Sequence, residues 1–124
     1  MIRIAIVEDD DAYRRQLVDF LKRYESESGE SFRLSLFSDG MEIVQDYRSE
    51  YDIILMDIEM RYMDGMTAAE RIRKLDMEVV IIFITNMSQY VMKGYTVDAM
   101  DFVLKPITYY AFSQRIDRAL QRMR

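Results

Sequence analysis

Short runs of Val, Ile and Leu alternate along the chain with longer segments whose apolar residues recur at helical spacing. The runs have the length of strands and cover residues 2–7, 32–37, 53–56, 79–84 and 102–104. Helical spacing marks residues 13–24, 68–75 and 109–123, and shorter helices fit near 41–47 and 88–93. Five alternating strands and helices predict a parallel sheet with helices on both faces, a three-layer α/β sandwich.

The runs differ in polarity. Residues 53–56 and 79–84 are apolar throughout, which is typical of strands buried on both faces, whereas the second run alternates apolar residues with Arg33 and Ser35. The second strand is therefore expected at an edge of the sheet. In open sheets of this class, binding sites form beyond the carboxyl ends of the strands, so the residues that end strands are the candidates for function.

Composition narrows the class of protein. The 124 residues include one proline and no linker-like tract, which predicts a single domain over residues 1–124. A net charge of -5 disfavours direct binding of nucleic acid or anionic lipid. Because the chain has no Cys and no His, it cannot form a disulfide, a thiolate or imidazole metal site, or a His-based triad. No apolar run could span a bilayer and the start lacks the zones of a signal peptide, so we expect a cytoplasmic protein without membrane contact.

Polar residues follow or end four of the predicted strands. Glu8 and Asp9 follow the first strand, Asp57 the third, Thr85 the fourth and Lys105 the fifth. Each alone has an ordinary explanation, since acidic residues after a strand often cap the next helix. Three carboxylates at one edge of the sheet, however, repel one another unless a proton or cation intervenes, and Mg²⁺ is the ion that suits them best. A lysine and a threonine hydroxyl nearby would complete a site for a phosphoryl group.

Five motifs in this order resemble the receiver domains of two-component response regulators, over essentially the whole chain. They are Val7-Glu8-Asp9-Asp10, Leu55-Met56-Asp57-Ile58, Met63-Asp64-Gly65, Thr85 and Phe102-Val103-Leu104-Lys105-Pro106. Residues 82–87, with Tyr90 and the run 99–102, look most like receivers attached to LytTR-type DNA-binding domains. The resemblance implies a flavodoxin-like (CheY-like) doubly wound sheet of five parallel strands in the order 2-1-3-4-5.

The resemblance also implies a role for each site residue. Asp57 would accept a phosphoryl group from a sensor histidine kinase or from a small acyl phosphate. Mg²⁺ would bind Asp9, Asp57 and the backbone carbonyl of Glu59, and Glu8 would act mainly through a bound water. Lys105 would neutralise charge on the phosphoryl oxygens, and a cis Lys105-Pro106 bond would aim it into the site. Arg61 stands where receivers often have proline, which predicts a more mobile loop.

The switch implied by the resemblance involves Thr85 and Phe102. Thr85 would be drawn towards the phosphoryl group, and Phe102 would turn into the vacated space, although an aromatic residue in a short strand is more often simply part of the core. The face made by the fourth helix, the fifth strand and the fifth helix would then change shape. This face could form a homodimer or control an output domain, with DNA bound only by an output domain absent from this chain, as in transcription regulation.

Other functions remain open at this stage. A phosphatase of the haloacid dehalogenase type also forms an aspartyl phosphate, but it places its nucleophile on an early strand and needs more chain. A nucleotide or flavin carrier would be expected to have a glycine-rich phosphate loop, which is missing. A receiver that only binds proteins would not need Asp9, Asp57, Thr85 and Lys105 together. We therefore expect a signalling switch rather than an enzyme, with self-catalysed phosphotransfer and autodephosphorylation as its only catalysis.

Overall fold

A computed structural model describes residues 1–123, and its strands form one parallel sheet. The strands are β1 (Ile2–Val7), β2 (Phe32–Phe37), β3 (Ile53–Met56), β4 (Val80–Thr85) and β5 (Asp101–Leu104). Their order is β2-β1-β3-β4-β5, and every neighbouring pair is parallel. The predicted order is confirmed, and β2 lies at an edge as its alternating pattern indicated. β4 lies one residue later than predicted, so Thr85 is the last residue of the strand rather than the first after it.

In the described part of the chain, residues 1–123, four α-helices connect and cover the strands. They are α1 (Asp11–Ser28), α2 (Gly40–Val44), α3 (Gly65–Leu75) and α4 (Tyr109–Met123). The side chains of Asp10, Asp39 and Asp64 cap the N-termini of the first three by accepting backbone N–H groups. α2 is shorter than the predicted 41–47, because the backbone turns extended at Gln45 and Asp46 then adopts a positive φ of 60°.

The predicted fourth helix at 88–93 is wrong as an α-helix. Two 3-10 helices, Ser88–Tyr90 and Met92–Val97, occupy this stretch, which we call the 3-10 segment. No side chain caps its start, and it contains Gly94 and the β-branched Thr96 and Val97, which weaken an α-helix. Only Gly94 and Val97 are buried, so packing supplies little to offset these propensities.

Two hydrophobic cores separate the layers, and alternate residues of each strand enter one or the other. On one side Ile4 and Ile6 pack with residues of α1 and α4, and on the other Ala5 and Val7 pack with residues of α2, α3 and the 3-10 segment. β3 and β4 are buried along their whole length, as their continuous apolar runs indicated. Within residues 1–123, the helices are all too short or too polar to cross a membrane.

Candidate functional site

Three strands bring a lysine and two carboxylates into direct contact at the carboxyl edge of the sheet. The ammonium Nζ of Lys105, after β5, donates to Glu8 Oε1 at 2.7 Å and to Asp57 Oδ2 at 2.9 Å. The three side chains are at most 10% exposed. The peptide bond from Lys105 to Pro106 is cis, as the resemblance implied. Two residues that lie 48 and 97 positions from Lys105 in sequence thus share one cation.

Asp9 completes a cluster of carboxylates with Glu8 and Asp57. One oxygen from each of the three lies within 4.8 Å of the others, and Asp9 is the exposed member. With three carboxylates against one ammonium, the ionised cluster carries a formal charge of about -2, which favours a divalent cation.

The pKa values of the paired groups reflect burial and hydrogen bonding together. Burial is the largest influence on Glu8 and raises the pKa of its carboxyl, although hydrogen bonds from Lys105 and from the N–H of Asp10 oppose it. For Lys105, burial favours the neutral amine, but the hydrogen bonds to Glu8 and Asp57 outweigh it and raise the pKa. The lysine therefore stays charged at neutral pH, and Glu8 is the carboxylate whose charge burial penalises.

Asp57 is held by backbone contacts on both sides. Its N–H donates to the carbonyl of Val7 at 3.0 Å, and its Oδ1 accepts the N–H of Ile58 at 2.7 Å. Behind it, the N–H of Gly65 donates to the carbonyl of Ile58 at 2.8 Å, and a Cβ on Gly65 would overlap the carbonyl oxygen of Asp57. Sequence reasoning placed Gly65 only in a motif at the start of α3; its role is to let the helix approach the acidic strand end.

Thr85 and Phe102 lie on neighbouring strands near the cluster. Thr85 is fully buried, and its hydroxyl accepts the N–H of Met87 at 3.2 Å. Phe102 is half-buried against Phe83, with ring centroids 5.8 Å apart, and lines a cavity of about 210 Å³ beside the 3-10 segment.

Glu59 lies in the loop between β3 and α3, and its side chain is exposed. Among the described residues, the carboxylate cluster comprises Glu8, Asp9 and Asp57, so the side chain of Glu59 is not part of it. The sequence-based expectation concerned only the backbone carbonyl of this residue, and it stays a prediction.

Two residues in the first turns of α1 support the site and were not singled out from the sequence. The ring of Tyr13 lies 4.2 Å from Lys105 Nζ, and its hydroxyl accepts the N–H of Ile107 at 3.2 Å. The guanidinium of Arg14 donates to the carbonyl of Glu8 at 2.6 Å. The only sequence signal was their position just after the Asp10 cap, which could not show how closely α1 approaches the strand ends.

Comparison with known proteins gives one consistent family. The sequence model of the family described as response regulator receiver domain matches residues 4–117. The sensory transduction protein LytT of Bacillus subtilis is 30% identical over 98% of this chain and 48% of LytT. The transcriptional regulatory protein RprY of Bacteroides fragilis is 27% identical over 99% of this chain and 51% of RprY. The chain thus spans about half the length of these curated relatives.

A solved structure matches the fold and the length together. It is the crystal structure of the response regulator protein TrrA of Thermotoga maritima in complex with Mg²⁺ and a beryllium fluoride. The TM-score is 0.81 at 26% sequence identity, and the match covers 96% of this chain and 99% of that one.

Proposed function

This chain belongs to the response regulator receiver domain family of two-component signalling, and from that premise we propose that Asp57 is its phosphoacceptor. Such domains are signalling proteins rather than classical enzymes and take their phosphoryl groups from histidine kinases. The observation that carries the proposal is the contact of 2.9 Å between the buried Asp57 carboxylate and the ammonium of Lys105, beside Glu8 and Asp9.

The residues at this edge fit a magnesium ion. Mg²⁺ prefers hard oxygen ligands, needs only one or two protein carboxylates and keeps several waters, and the clustered carboxylates supply such oxygens beside an exposed flank at Asp9. Asp9, Asp57 and the carbonyl of Glu59 would hold the ion, with Glu8 acting through a water. When bound, the ion neutralises negative charge on phosphoryl oxygens. TrrA, whose structure contains Mg²⁺ with a beryllium fluoride, supports the same choice here.

The transfer uses the free electron pair of one Asp57 carboxylate oxygen. This oxygen attacks phosphorus in line, the bond from phosphorus to the imidazole nitrogen of the kinase breaks, and its electron pair stays on that nitrogen, which takes a proton from water. Lys105 provides a charged donor to the phosphoryl oxygens, and burial of the site strengthens that interaction. Hydrolysis of the resulting acyl phosphate returns Asp57 to its carboxylate form.

Thr85 transmits the change. Its hydroxyl can donate its proton to a phosphoryl oxygen while it still accepts the N–H of Met87, so a shift of Thr85 pulls on the residue that precedes the 3-10 segment. Phe102 then turns inward from its half-buried position against Phe83. Phosphorylation shifts this equilibrium only as far as it stabilises the inward state over the outward one.

The altered surface consists of the 3-10 segment, β5 and α4. It corresponds to the face predicted from the sequence, except that 3-10 helices replace the α-helix expected at 88–93. It exposes large apolar side chains, namely Met92, Tyr95, Leu104 and Tyr110. Homodimerisation through this face, or control of an output domain that binds DNA, is the proposed consequence, and the likeness to RprY, a transcriptional regulatory protein, favours a role in transcription. Regulation of transcription is therefore the proposed output.

The alternatives find less support. A phosphatase of the haloacid dehalogenase type is disfavoured by the family match over residues 4–117 and by the acceptor position on the third strand. A receiver that only binds proteins would not need the contacts that join Lys105 to Glu8 and Asp57.

Incubation with acetyl phosphate and Mg²⁺, followed by intact-mass measurement, tests the proposal. The wild type is expected to gain the mass of one phosphoryl group, and the gain should disappear when EDTA replaces Mg²⁺. Asp57→Asn should stay unmodified, whereas Asp19→Asn, an exposed change on α1, should be modified like the wild type. Equal modification of Asp57→Asn and the wild type would refute the assignment.

A further inference from the structure

Asp39 is a buried carboxylate outside the proposed phosphoryl site. It precedes α2 and is 5% exposed. Its Oδ1 accepts the N–H of Met41 at 2.9 Å and the N–H of Met63 at 3.0 Å, while its Oδ2 accepts the N–H of Tyr62 at 2.8 Å. Two of the three hydrogen bonds therefore cross from the start of α2 to the loop between β3 and α3.

That loop carries groups on which the proposed metal site depends. It leaves β3 at Asp57, passes Glu59, whose carbonyl is a proposed magnesium ligand, and ends at Asp64, the cap of α3. The side chain of Arg61 is exposed and, unlike a proline ring, does not fix φ. The hydrogen bonds from Tyr62 and Met63 to Asp39 are therefore a restraint on the loop just after Glu59.

Helix capping alone does not explain this carboxylate. α2 has five residues, and only the bond from Met41 caps it. Asn or Ser would cap a helix about as well without a full charge. None of the ion pairs found within residues 1–123 includes Asp39, so its three N–H donors must offset the cost of burying the charge.

Gly40 packs closely against the same loop, at the carbonyl group of Met63. A Cβ on Gly40 would lie 2.6 Å from the carbonyl oxygen of Met63 and 3.0 Å from the Cβ of Ala68. The backbone of Met63 is thus bound at its N–H by Asp39 and packed at its carbonyl against Gly40. Both contacts restrain the loop at Met63.

We propose that Asp39 is a positioning residue for the magnesium site, acting through Tyr62 and Met63 on the loop that presents Glu59. It does not contact the ion; it holds a ligand-bearing backbone in place, as outer hydrogen-bonding partners do in metal sites. This proposal rests on the proposed function, because it requires that Mg²⁺ binds at the edge formed by Asp9 and Asp57.

The test is the dissociation constant of Mg²⁺ alone, measured by titrating the ¹⁵N-labelled protein with magnesium chloride and following the amides of Ile58 and Gly65. Asp39→Asn keeps the size of the side chain but replaces one carboxylate oxygen with an NH₂ group. That group cannot accept a hydrogen bond, so at least one of the three backbone N–H donors loses its acceptor. We expect its dissociation constant for Mg²⁺ to rise about tenfold.

Asp76→Asn is the matched control. Asp76 is also buried, at 9% exposure, and accepts three hydrogen bonds, from the N–H groups of Glu78 and Val79 and from the hydroxyl of Tyr47. It lies before β4, at the opposite end of the sheet. Its substitution should lower the free energy of unfolding in urea and leave the dissociation constant for Mg²⁺ unchanged.

Gly40→Ala separates loop position from charge, because it displaces Met63 and retains the carboxylate of Asp39. It should also weaken Mg²⁺ binding. If Asp39→Asn and Asp76→Asn lose similar stability while all three variants bind Mg²⁺ like the wild type, Asp39 is a structural cap and the proposal is overturned. A wild type that binds no Mg²⁺ would overturn the metal site of the proposed function itself, and this proposal with it.

Discussion

Gly65 determines how closely α3 can approach the acidic end of β3. Its N–H reaches the carbonyl of Ile58, and the space that a Cβ would need is filled by the carbonyl of Asp57. The proposed acceptor therefore depends on a residue with no side chain, because any larger one would push the strand end away from Lys105.

Substitution of Gly65 should disturb both stability and phosphotransfer. We expect Gly65→Ala to lower the free energy of unfolding in urea by about 1–3 kcal/mol. We also expect phosphorylation by acetyl phosphate to slow by about 100-fold, since a misplaced acceptor loses its in-line geometry.

Gly29→Ala provides the comparison for this effect. Gly29 ends α1 with a φ of 80° and has open space around it. An alanine there should cost about 1 kcal/mol of backbone strain while the rate of phosphorylation stays that of the wild type. Equal rates in Gly65→Ala and Gly29→Ala would show that the approach of α3 does not matter for the reaction.

For single residues, the sequence identified the side chains that lie together at the carboxyl edge of the sheet, because they follow strands with clear apolar runs. Lys105, Glu8 and Asp57 could be placed at one edge from topology alone. Asp39 and Tyr13 could not, because their importance depends on a loop and a helix that fold back over the strand ends.

The elements around the proposed switch are joined by Arg73 of α3. Its guanidinium donates to the carbonyls of Val97 and Asp98 at the end of the 3-10 segment, and to those of Asp76 and Val79. The 3-10 segment is thus fixed at its carboxyl end, while its other end follows Thr85 and Met87. A segment with one fixed end can transmit a pull at the other.

Loss of the hydrogen bonds from Arg73 should loosen the 3-10 segment. In Arg73→Ala we expect faster hydrogen exchange at the amides of Asp98 and Ala99, which bond within the segment's last turn. The free energy of unfolding should fall by about 1.5 kcal/mol, because partly buried carbonyls lose a charged donor.

Arg71→Ala, an exposed change on the same helix, should leave both quantities near the wild-type values. Unchanged exchange at Asp98 and Ala99 in Arg73→Ala would mean that the segment is held by other contacts.

Periodicity predicted the elements unevenly. All five strands and the three long helices were found, since each buries an extended apolar run or stripe. The α-helix predicted at 88–93 was wrong. The 3-10 segment buries only two residues and so carries little hydrophobic pattern, and local propensity then decides between α and 3-10 geometry. The strand order itself came from the family resemblance and not from the spacing of residues.

For the molecule as a whole, the charge cluster is a source of instability that a divalent ion should relieve. Three clustered carboxylates face a single ammonium, which pairs with two of them, Glu8 and Asp57. We expect Mg²⁺ at about 100 times its dissociation constant to raise the free energy of unfolding by about 2.7 kcal/mol, seen as a higher midpoint in urea.

Sodium chloride at the same ionic strength should give a much smaller rise, and the double variant Asp9→Asn/Asp57→Asn should lose the response to Mg²⁺. An identical rise in that double variant would place the ion elsewhere on the protein.

The most direct measurement identifies the residue that carries the phosphoryl group. Protein phosphorylated by acetyl phosphate in Mg²⁺ is treated with sodium borohydride, which reduces an aspartyl phosphate to homoserine, and the peptides are sequenced by mass spectrometry. We predict homoserine at position 57 and intact carboxylates at Asp9 and Glu8. Reduction at Asp9, at Glu8 or at any other residue, with position 57 unchanged, would contradict the assignment of Asp57 as the acceptor.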